Sequence, residues 1–407
     1  MNKRIMILGA SNLQVPIIKK AKEIGCFTIV ASPDPKEPGF EFADEKSVVD
    51  LRNKEVVLTE AGKLNIDGVI TDQAETPIRT VAFVADKLGL PGIGLDKAEL
   101  FTNKYCQRKK CAELGLSNIR FHLVENIDDA LSYFRKLNTI AIMKPIDSAG
   151  SRGVIRVFSE KDVLENFEYT KAASKTGHVI IEEFIEGKEI LLDGVCCDGI
   201  YQTIICGEYN NGNNLFSSYL TKWPAKLTKE QNEKVQIFTK TMIEGFGLPW
   251  GRTHTELKVN DKGVWLMETA ARGGGRFISS MAVPSMTDFS SEEFLLRKAL
   301  GEKLPVPVIQ SKNKICAYVA MFLPKGKIIS INGLEDILEK TFVGSNNLDD
   351  IKVGDITHSY FDKTESRFVH FYAADEKEFT ERLNYIRSTL KISVETDDGV
   401  KGIDWGV

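Results

Sequence analysis

Gly251–Arg276 reads GRTHTELKVNDKGVWLMETAARGGGR, and the fold of the chain is decided by how this stretch is read. It holds two carboxylates, Glu256 and Glu268. Polar and apolar residues alternate through Leu257–Val259 and again through Val264–Met267, on either side of a break at Asn260–Gly263. That is the pattern of a β-hairpin. A three-residue loop over Asp261, Lys262 and Gly263, with the glycine left-handed, pairs Asn260 with Val264 and, counting outward, Glu256 with Glu268. The two carboxylates then share a face, with Cβ atoms about 5 Å apart, and repel unless something positive lies between them. A pair of oxygen ligands suits magnesium, which completes its shell with phosphate and water. The alternative is two solvated glutamates on an edge strand. His254, two residues before Glu256, falls on the same face, either orienting a substrate or serving as a core histidine.

Beyond Glu268 come Arg272, then Gly273-Gly274-Gly275 and Arg276. Glycine lets a ligand approach the backbone, and consecutive N–H groups form an anion nest. Arg272 is therefore the candidate catalytic group, with Gly273 and Gly274 beside it as candidate substrate contacts. Together these features resemble the ATP-grasp superfamily. Its last sheet carries a glutamate and, about a dozen residues on, a Glu-x-Asn-x-Arg run, whose carboxylates hold magnesium under ATP. Here the run is Glu268-Thr-Ala-Ala-Arg272, so Ala270 replaces the asparagine. This variant is similar to the branch of amino-acid ligases that make dipeptides. Ala270 leaves the number of metal ions open.

Composition sets the outer bounds. The chain has 407 residues, 43% of them hydrophobic and 27% charged, enough for two or three domains of a soluble globular protein. A net charge of −4 gives no general electrostatic case for nucleic-acid binding. The seven cysteines (26, 106, 111, 196, 197, 206 and 316) lack metal or framework spacing, so reduced, mostly buried thiols are expected. The opening apolar run, IMILGA, is too short for a signal peptide, and no window of 18 apolar residues spans a membrane. The expected location is cytoplasmic.

The N-terminal 95 residues read as a βαβ start: an apolar strand at 4–9, a helix opened by a Ser11/Gln14 capping box and Pro16, a C-cap at Gly25, and a strand Cys26–Ser32. No G-x-G-x-x-G follows the first strand, so no dinucleotide site is expected. A strand Gly68–Thr71 ends at Asp72, near Glu75, where parallel sheets bind ligands. A helix cap is the other reading of Asp72. A helix follows over 78–88, and Leu90–Gly94 breaks the chain.

Three further stretches carry the resemblance. Asn103-Lys104 opens a helix over 103–114, and the family's lysine at this step reaches the ATP phosphates. Residues 139–145, TIAIMKP, form a strand ending at Lys144, followed by the loop Asp147–Gly153 and another strand, Val154–Phe158. Lysine before a Gly/Ser loop, between strands, is a phosphate clamp distinct from a Walker A loop; a plain hairpin is the alternative. The clamp would use Lys144 with Ser148, Gly150, Ser151 and Gly153. Residues 179–192, VIIEEFIEGKEILL, match the family's adenine hinge. By resemblance Glu182, Glu183, Phe184 and Ile185 flank the base, and Glu189 takes the ribose hydroxyls. Thr228–Gly245 reads as an amphipathic helix, Asn210–Asn214 as a turn-rich loop, and Lys303–Pro307 as a linker. The tail has strands at Ile315–Phe322 and Arg367–Ala373 and a helix over Lys377–Leu390, without a metal or nucleophile constellation.

The resemblance implies an α/β and α+β protein. An N-terminal parallel-sheet domain (1–95) would precede an ATP-grasp nucleotide domain (96–302, with a mobile lid at about 135–205) and a β-rich C-terminal lobe (303–407). It implies an ADP-forming ligase that uses ATP and Mg2+, or Mn2+ in its place. Such an enzyme joins a small carboxylate to an amine through an acyl phosphate. A bicarbonate-using carboxylase or carbamoyl-phosphate-synthase-like enzyme is one alternative, and an ATP-binding regulatory protein without turnover is another. The expected partners are small molecules, with no nucleic acid and no membrane, and a homodimer is left open.

Overall fold

The structure is a computed structural model that describes residues 3–116, 118–148, 150–211, 218–348, 351–358 and 367–406. The chain divides into two compact units. One comprises Met1–Phe121, Leu191–Ile205 and Leu227–Gln310; the other comprises His122–Ile190, Cys206–Lys226 and Ser311–Val407.

The first unit opens with a four-stranded sheet in the order Glu45–Val48, Phe27–Ser32, Arg4–Leu8, Gly68–Ile70. All three pairings are parallel, as the βαβ reading requires. Parallel strands are covered on both faces. Ile5, Ile7 and Val30 pack with Ile17, Ile18 and Ala21 on one face and with Leu295 and Leu296 from late in the chain. Met6, Leu8, Ile29 and Ala31 pack with Val57, Ala61 and Val84 on the other. The helix Val15–Glu23 starts later than the expected capping box. Ser11 does not cap it: the Ser11 N–H and hydroxyl donate to Gln14 Oε1 (3.1 and 2.7 Å), and Gln14 Nε2 donates to the Asp72 carbonyl (2.7 Å). Gln14 thus ties the first strand's exit to the end of the fourth. The Ile78–Leu88 helix ends at left-handed Gly89, and its N-cap is Pro77, so Asp72 is not a helix cap.

The same unit holds the hairpin Gly251–Asn260 and Gly263–Ala270. The Gly263–Ala270 strand is the sheet edge, followed by Gly251–Asn260, then Lys188–Cys197 and Ile200–Asn210, whose residues 191–205 belong here. Behind it lies the helix Lys229–Phe246, opened by a Thr228/Gln231 capping box and closed by left-handed Gly247.

In the second unit, strands Phe121–Val124, Val179–Glu183, Ala141–Pro145 and Ile155–Val157 are neighbours in that order. Helices Ile127–Leu137 and Glu160–Ala172 accompany them, around a core of Val124, Met143, Val157, Val163, Phe167 and Ile181. The C-terminal region contributes strands Ile315–Met321 and Arg367–Ala373, paired antiparallel, and the Glu376–Thr389 helix. Val319, Phe371, Ile386 and Val394 are among its fully buried side chains. All seven cysteines are free thiols. No helix among the described residues is long and apolar enough to cross a membrane. The expected loop at Asn210–Asn214 lies outside the described residues beyond Asn211.

Candidate active site

Glu256 does stand opposite Glu268, though by a different route from the expected loop. The turn is the two residues Asp261 and Lys262, which pairs Asn260 with Gly263 and Val259 with Val264. Gly263 does not take the left-handed conformation. Lys262 N–H instead donates to the Asn260 side chain (2.8 Å), an Asx turn. Carried outward, this register would misalign the carboxylates by one residue. A β-bulge at Met267 restores it: Leu257 pairs with Leu266, and Glu256 with Glu268. A bulge re-aims side chains where pairing alone would not.

The bulge and the sheet edge are held by the Lys104–Glu113 helix. Arg108 Nη2 donates to the bulged Met267 carbonyl (3.0 Å). Gln107 gives and takes one hydrogen bond at Thr269: Nε2 to the carbonyl (2.7 Å) and Oε1 from the amide (3.1 Å). Its side-chain amide stands in for a neighbouring strand on this sheet edge. One turn earlier, Lys104 Nζ meets Glu268 Oε1 at 2.9 Å. Asn103 caps the helix with its side chain, so Lys104 sits at the first turn, as the Asn-Lys step suggests. Burial pulls the Lys104 ammonium toward neutrality, but Glu268, then Glu75 and Glu256, outweigh it and raise its pKa.

His254 lies beneath Glu256. Its Nδ1 is 3.2 Å from Asp193 Oδ2, and its Nε2 is 3.7 Å from Glu256 Oε1. Burial disfavours the imidazolium, but the attraction and hydrogen bond of Asp193, with Glu256, lift its pKa to about 9. His254 is therefore both things the sequence left open, buried and next to the carboxylate pair. The repulsion between Glu256 and Glu268 is relieved by protein cations, Lys104 on one and His254 on the other.

The glycine run differs from expectation. Gly273 N–H donates to Asp72 Oδ1 (3.1 Å), and Gly274 N–H donates to Asp193 Oδ1 (2.9 Å). The two amides do bind anions, but one each rather than a shared one, and these anions are the chain's own buried carboxylates. These two amides are thereby engaged within the chain. Their lack of side chains has a packing cause. A Cβ on Gly273 would come within 2.2 Å of Ser279 Oγ and 2.7 Å of Arg252 Cζ; one on Gly274 would meet His254 Nδ1 at 2.8 Å.

Arg252 completes this buried group, with Nη1 at 3.5 Å from Asp72 and Nη2 at 3.7 Å from Asp193. Burial raises the Asp193 carboxyl, but His254, then Arg252 and the Gly274 amide, hold it below its usual range. Burial pushes the nearby Glu292 up, against the pull of Arg252. Arg272, fourth after Glu268, reaches Glu75 (3.2 Å) and the Gly273 carbonyl (3.0 Å). Asp72 and Glu75, the strand-end acids, thus sit on the arginines. Asp193, Arg252, Gln107 and Arg108 escaped the sequence reading. The one sequence signal among them was Asp193, a polar interruption of the apolar strand EILLDGVCC.

Five carboxylates (Asp72, Glu75, Asp193, Glu256, Glu268) face four cations (Lys104, Arg252, His254, Arg272) here. Asp72, Glu75 and Asp193 have side chains at most 6% exposed. Glu256 and Glu268 are 38% and 27% exposed. The residual negative charge is therefore offered to solvent by the two opposed glutamates. Two hard oxygen donors at an accessible edge fit a magnesium ion whose other ligands are phosphate and water. No group of three or more His, Cys, Asp or Glu residues suited to a metal occurs among the described residues. Ala270 is buried and pairs with His254, so it brings no oxygen donor.

In the second unit, Lys144 and Glu182 form a buried pair, Nζ to Oε1 at 2.6 Å, across adjacent antiparallel strands. Phe184 N–H donates to the Ile140 carbonyl (2.9 Å), and the Arg156 guanidinium lies 3.9 Å from the Phe184 ring centre. Asn211 donates to Glu189 (2.5 Å). Ile185 follows Phe184 just beyond the strand's end, and Glu183 is its last residue. In the loop after Lys144, Gly150, Ser151 and Gly153 all have positive φ; Ser148 is buried, and Ala149 lies outside the described residues. Asp147 turns away to fasten residues 174–176. It accepts from the Ser174 hydroxyl (2.7 Å), the Lys175 amide (3.0 Å) and the Thr176 amide and hydroxyl (3.0 and 2.9 Å).

Residues 137–280 match the family model of the ATP-grasp domain. A formate-dependent phosphoribosylglycinamide formyltransferase of Prochlorococcus marinus (strain NATL2A) is 23% identical over 349 residues, covering 83% of this chain and 87% of that protein. The alanine–anticapsin ligase of Bacillus subtilis (strain 168) is 27% identical over 230 residues, 51% of this chain and 48% of its own. Among solved structures, the L-amino acid ligase from Bacillus licheniformis superposes with a TM-score of 0.84 at 21% identity, covering 97% of this chain and 99% of that one. The chain has the ATP-grasp fold, and its residues 137–280 form the part that matches the ATP-grasp domain.

Proposed function

We propose that the protein is an ATP- and magnesium-dependent ligase that joins a small carboxylate, of amino-acid size, to an amine, releasing ADP and phosphate. The observation that carries this reading is the opposed pair Glu256 and Glu268, with Lys104 on one carboxylate and Arg272 one turn of sequence beyond. The names of two relatives support the substrate class: one is formate-dependent, and the other ligates alanine.

Glu256 and Glu268 are the residues that would hold magnesium, which when bound neutralises phosphate charge. Lys104 counters the negative charge around Glu268. Lys144, with the loop residues Ser148, Gly150, Ser151 and Gly153, is assigned to the ATP phosphates. Glu182–Ile185 and Glu189 are assigned to the base and ribose. These assignments rest on the match of residues 137–280 to the ATP-grasp domain together with the buried Lys144–Glu182 pair. Arg272 stabilises charge on the group being transferred.

In the reaction, a carboxylate oxygen attacks the γ-phosphorus and the bond to the ADP oxygen breaks. The amine nitrogen then attacks the acyl carbon, the C–O bond to phosphate breaks, and the nitrogen loses a proton to water. Phosphate leaves carrying one oxygen from the substrate carboxylate. The test is ADP release with ATP, Mg2+ and pairs of amino acids, using ¹⁸O-labelled carboxylate. The expected result is ADP formation that needs both substrates, with label in the phosphate. ADP formation with unlabelled phosphate would refute the acyl phosphate, and no ADP with any carboxylate and amine would refute the ligase.

A further inference from the structure

A partly open cavity of about 40 Å³ lies in the first unit. Its walls are apolar: Ile70, Ile78, Val81, Ile93, Trp250 and Leu295. Arg252 and Arg272 also line it. Arg252 is 1% exposed, yet its Nε and Nη2 have no hydrogen-bond partner among the described residues. The same holds for Arg272 Nε, although its other two nitrogens are engaged by Gly273 and Glu75. A buried donor without an acceptor costs about 1–3 kcal/mol, more when charged. Guanidinium edges left over beside an apolar hollow call for a ligand that is anionic at one end and apolar at the other. A carboxylate is the planar anion that guanidinium N–H groups match best.

Volume narrows the apolar end. At about 40 Å³ the cavity is small beside the roughly 300–1,000 Å³ of pockets that enclose larger ligands. It suits a short branched aliphatic group better than an aromatic ring.

We propose that this cavity receives the side chain of the ligase's carboxylate substrate, a small acid with a short branched aliphatic tail, of the size of valine or isobutyrate. The proposal rests on the ligase reading for its meaning as a substrate site, while binding itself does not depend on turnover. The carboxylate meets the Nε–H groups of Arg252 and Arg272, which lack acceptors among the described residues, and the tail lies against Ile78, Ile93 and Leu295.

Binding is tested on the full chain without ATP, by saturation-transfer NMR with L-valine, isobutyrate, its neutral amide isobutyramide, and L-phenylalanine. Saturation of valine and isobutyrate but of neither other probe supports the site. Equal saturation of isobutyrate and isobutyramide, or none for valine and isobutyrate, overturns it. Ile93 is only partly buried, so it is the position to vary. Ile93→Phe fills the cavity and should lower the valine-to-alanine ratio of kcat/KM at least tenfold. Ile93→Ala enlarges it and should shift preference toward leucine and phenylalanine, which keeps the test intact if the larger side chain harms folding. Ratios unmoved by both variants overturn the proposal while leaving the ligase standing. Valine binding without ADP formation from any pair supports the site and refutes the ligase.

Discussion

Removing the Asp193 carboxylate should destabilise the first unit more than any single change at its surface. Asp193 accepts from the Gly274 amide at 2.9 Å and faces His254 at 3.2 Å and Arg252 at 3.7 Å, with its side chain fully buried. In Asp193→Ala one buried cation loses its main partner and another loses half its compensation. Breaking a buried pair in this way costs about 3–5 kcal/mol. Asp193→Asn keeps an oxygen for Gly274 but not the charge, so it should fall between. The two variants also separate by pH. The folded pKa of His254 is raised to about 9, above its unfolded value near 6.5. Its contribution is therefore complete below about pH 6.5 and lost as pH rises through 9. Asp193 is depressed, so its own contribution is present above the ordinary carboxylate range and lost on acidification. The His254 share is on the order of 3 kcal/mol. The assay is hydrogen exchange of the Gly251–Asn260 amides in chelator, at pH 6 and pH 9. The wild type should lose protection between these values, and Asp193→Asn should lose little further, because its histidine is no longer held charged. A cost below about 1 kcal/mol for Asp193→Ala, or the same alkaline loss in both proteins, would refute the account.

Glu268→Gln should reduce ADP formation about 100-fold or more. It should also lower the melting temperature, because Lys104 is buried against Glu268; unchanged ADP release would sink the metal assignment. Gly273→Ala should unfold or strongly destabilise the first unit, since the new Cβ collides with Ser279 Oγ and the Arg252 guanidinium; a melting temperature within a degree of wild type would show that the turn can shift. Gln107→Leu should weaken protection of the Thr269 amide specifically, by about 1–3 kcal/mol for buried groups left without partners, with exchange at Thr269 as the readout. Arg272→Ala should cut turnover about 100-fold while ATP affinity changes little, and a large loss of ATP affinity would count against its assigned role.

What the sequence determined by itself was local or periodic. The alternation around Asn260–Gly263 is a hairpin because side chains on a strand change face at every residue. The helices expected over 78–88, 103–114 and 228–245 are present because their residues favour helix locally and their ends are satisfied by groups close in sequence, such as the Asn103 cap. The parallel N-terminal sheet follows from the order of its elements. Tertiary structure decided what depends on partners distant in sequence. The opposition of Glu256 and Glu268 was read from an incorrect loop and holds because a bulge at Met267 compensates, with Arg108 bound to its carbonyl 159 positions away. Gly273 and Gly274 looked open to a ligand because a sequence does not show Asp72 and Asp193, 201 and 81 positions earlier, already accepting their amides. Asp193 reads as a polar interruption in an apolar strand, and Arg252 as one polar residue among several in GRTHTE. Only the folded chain makes them a buried charge pair, because the desolvation that gives such a pair its weight exists only once the strands around it have closed.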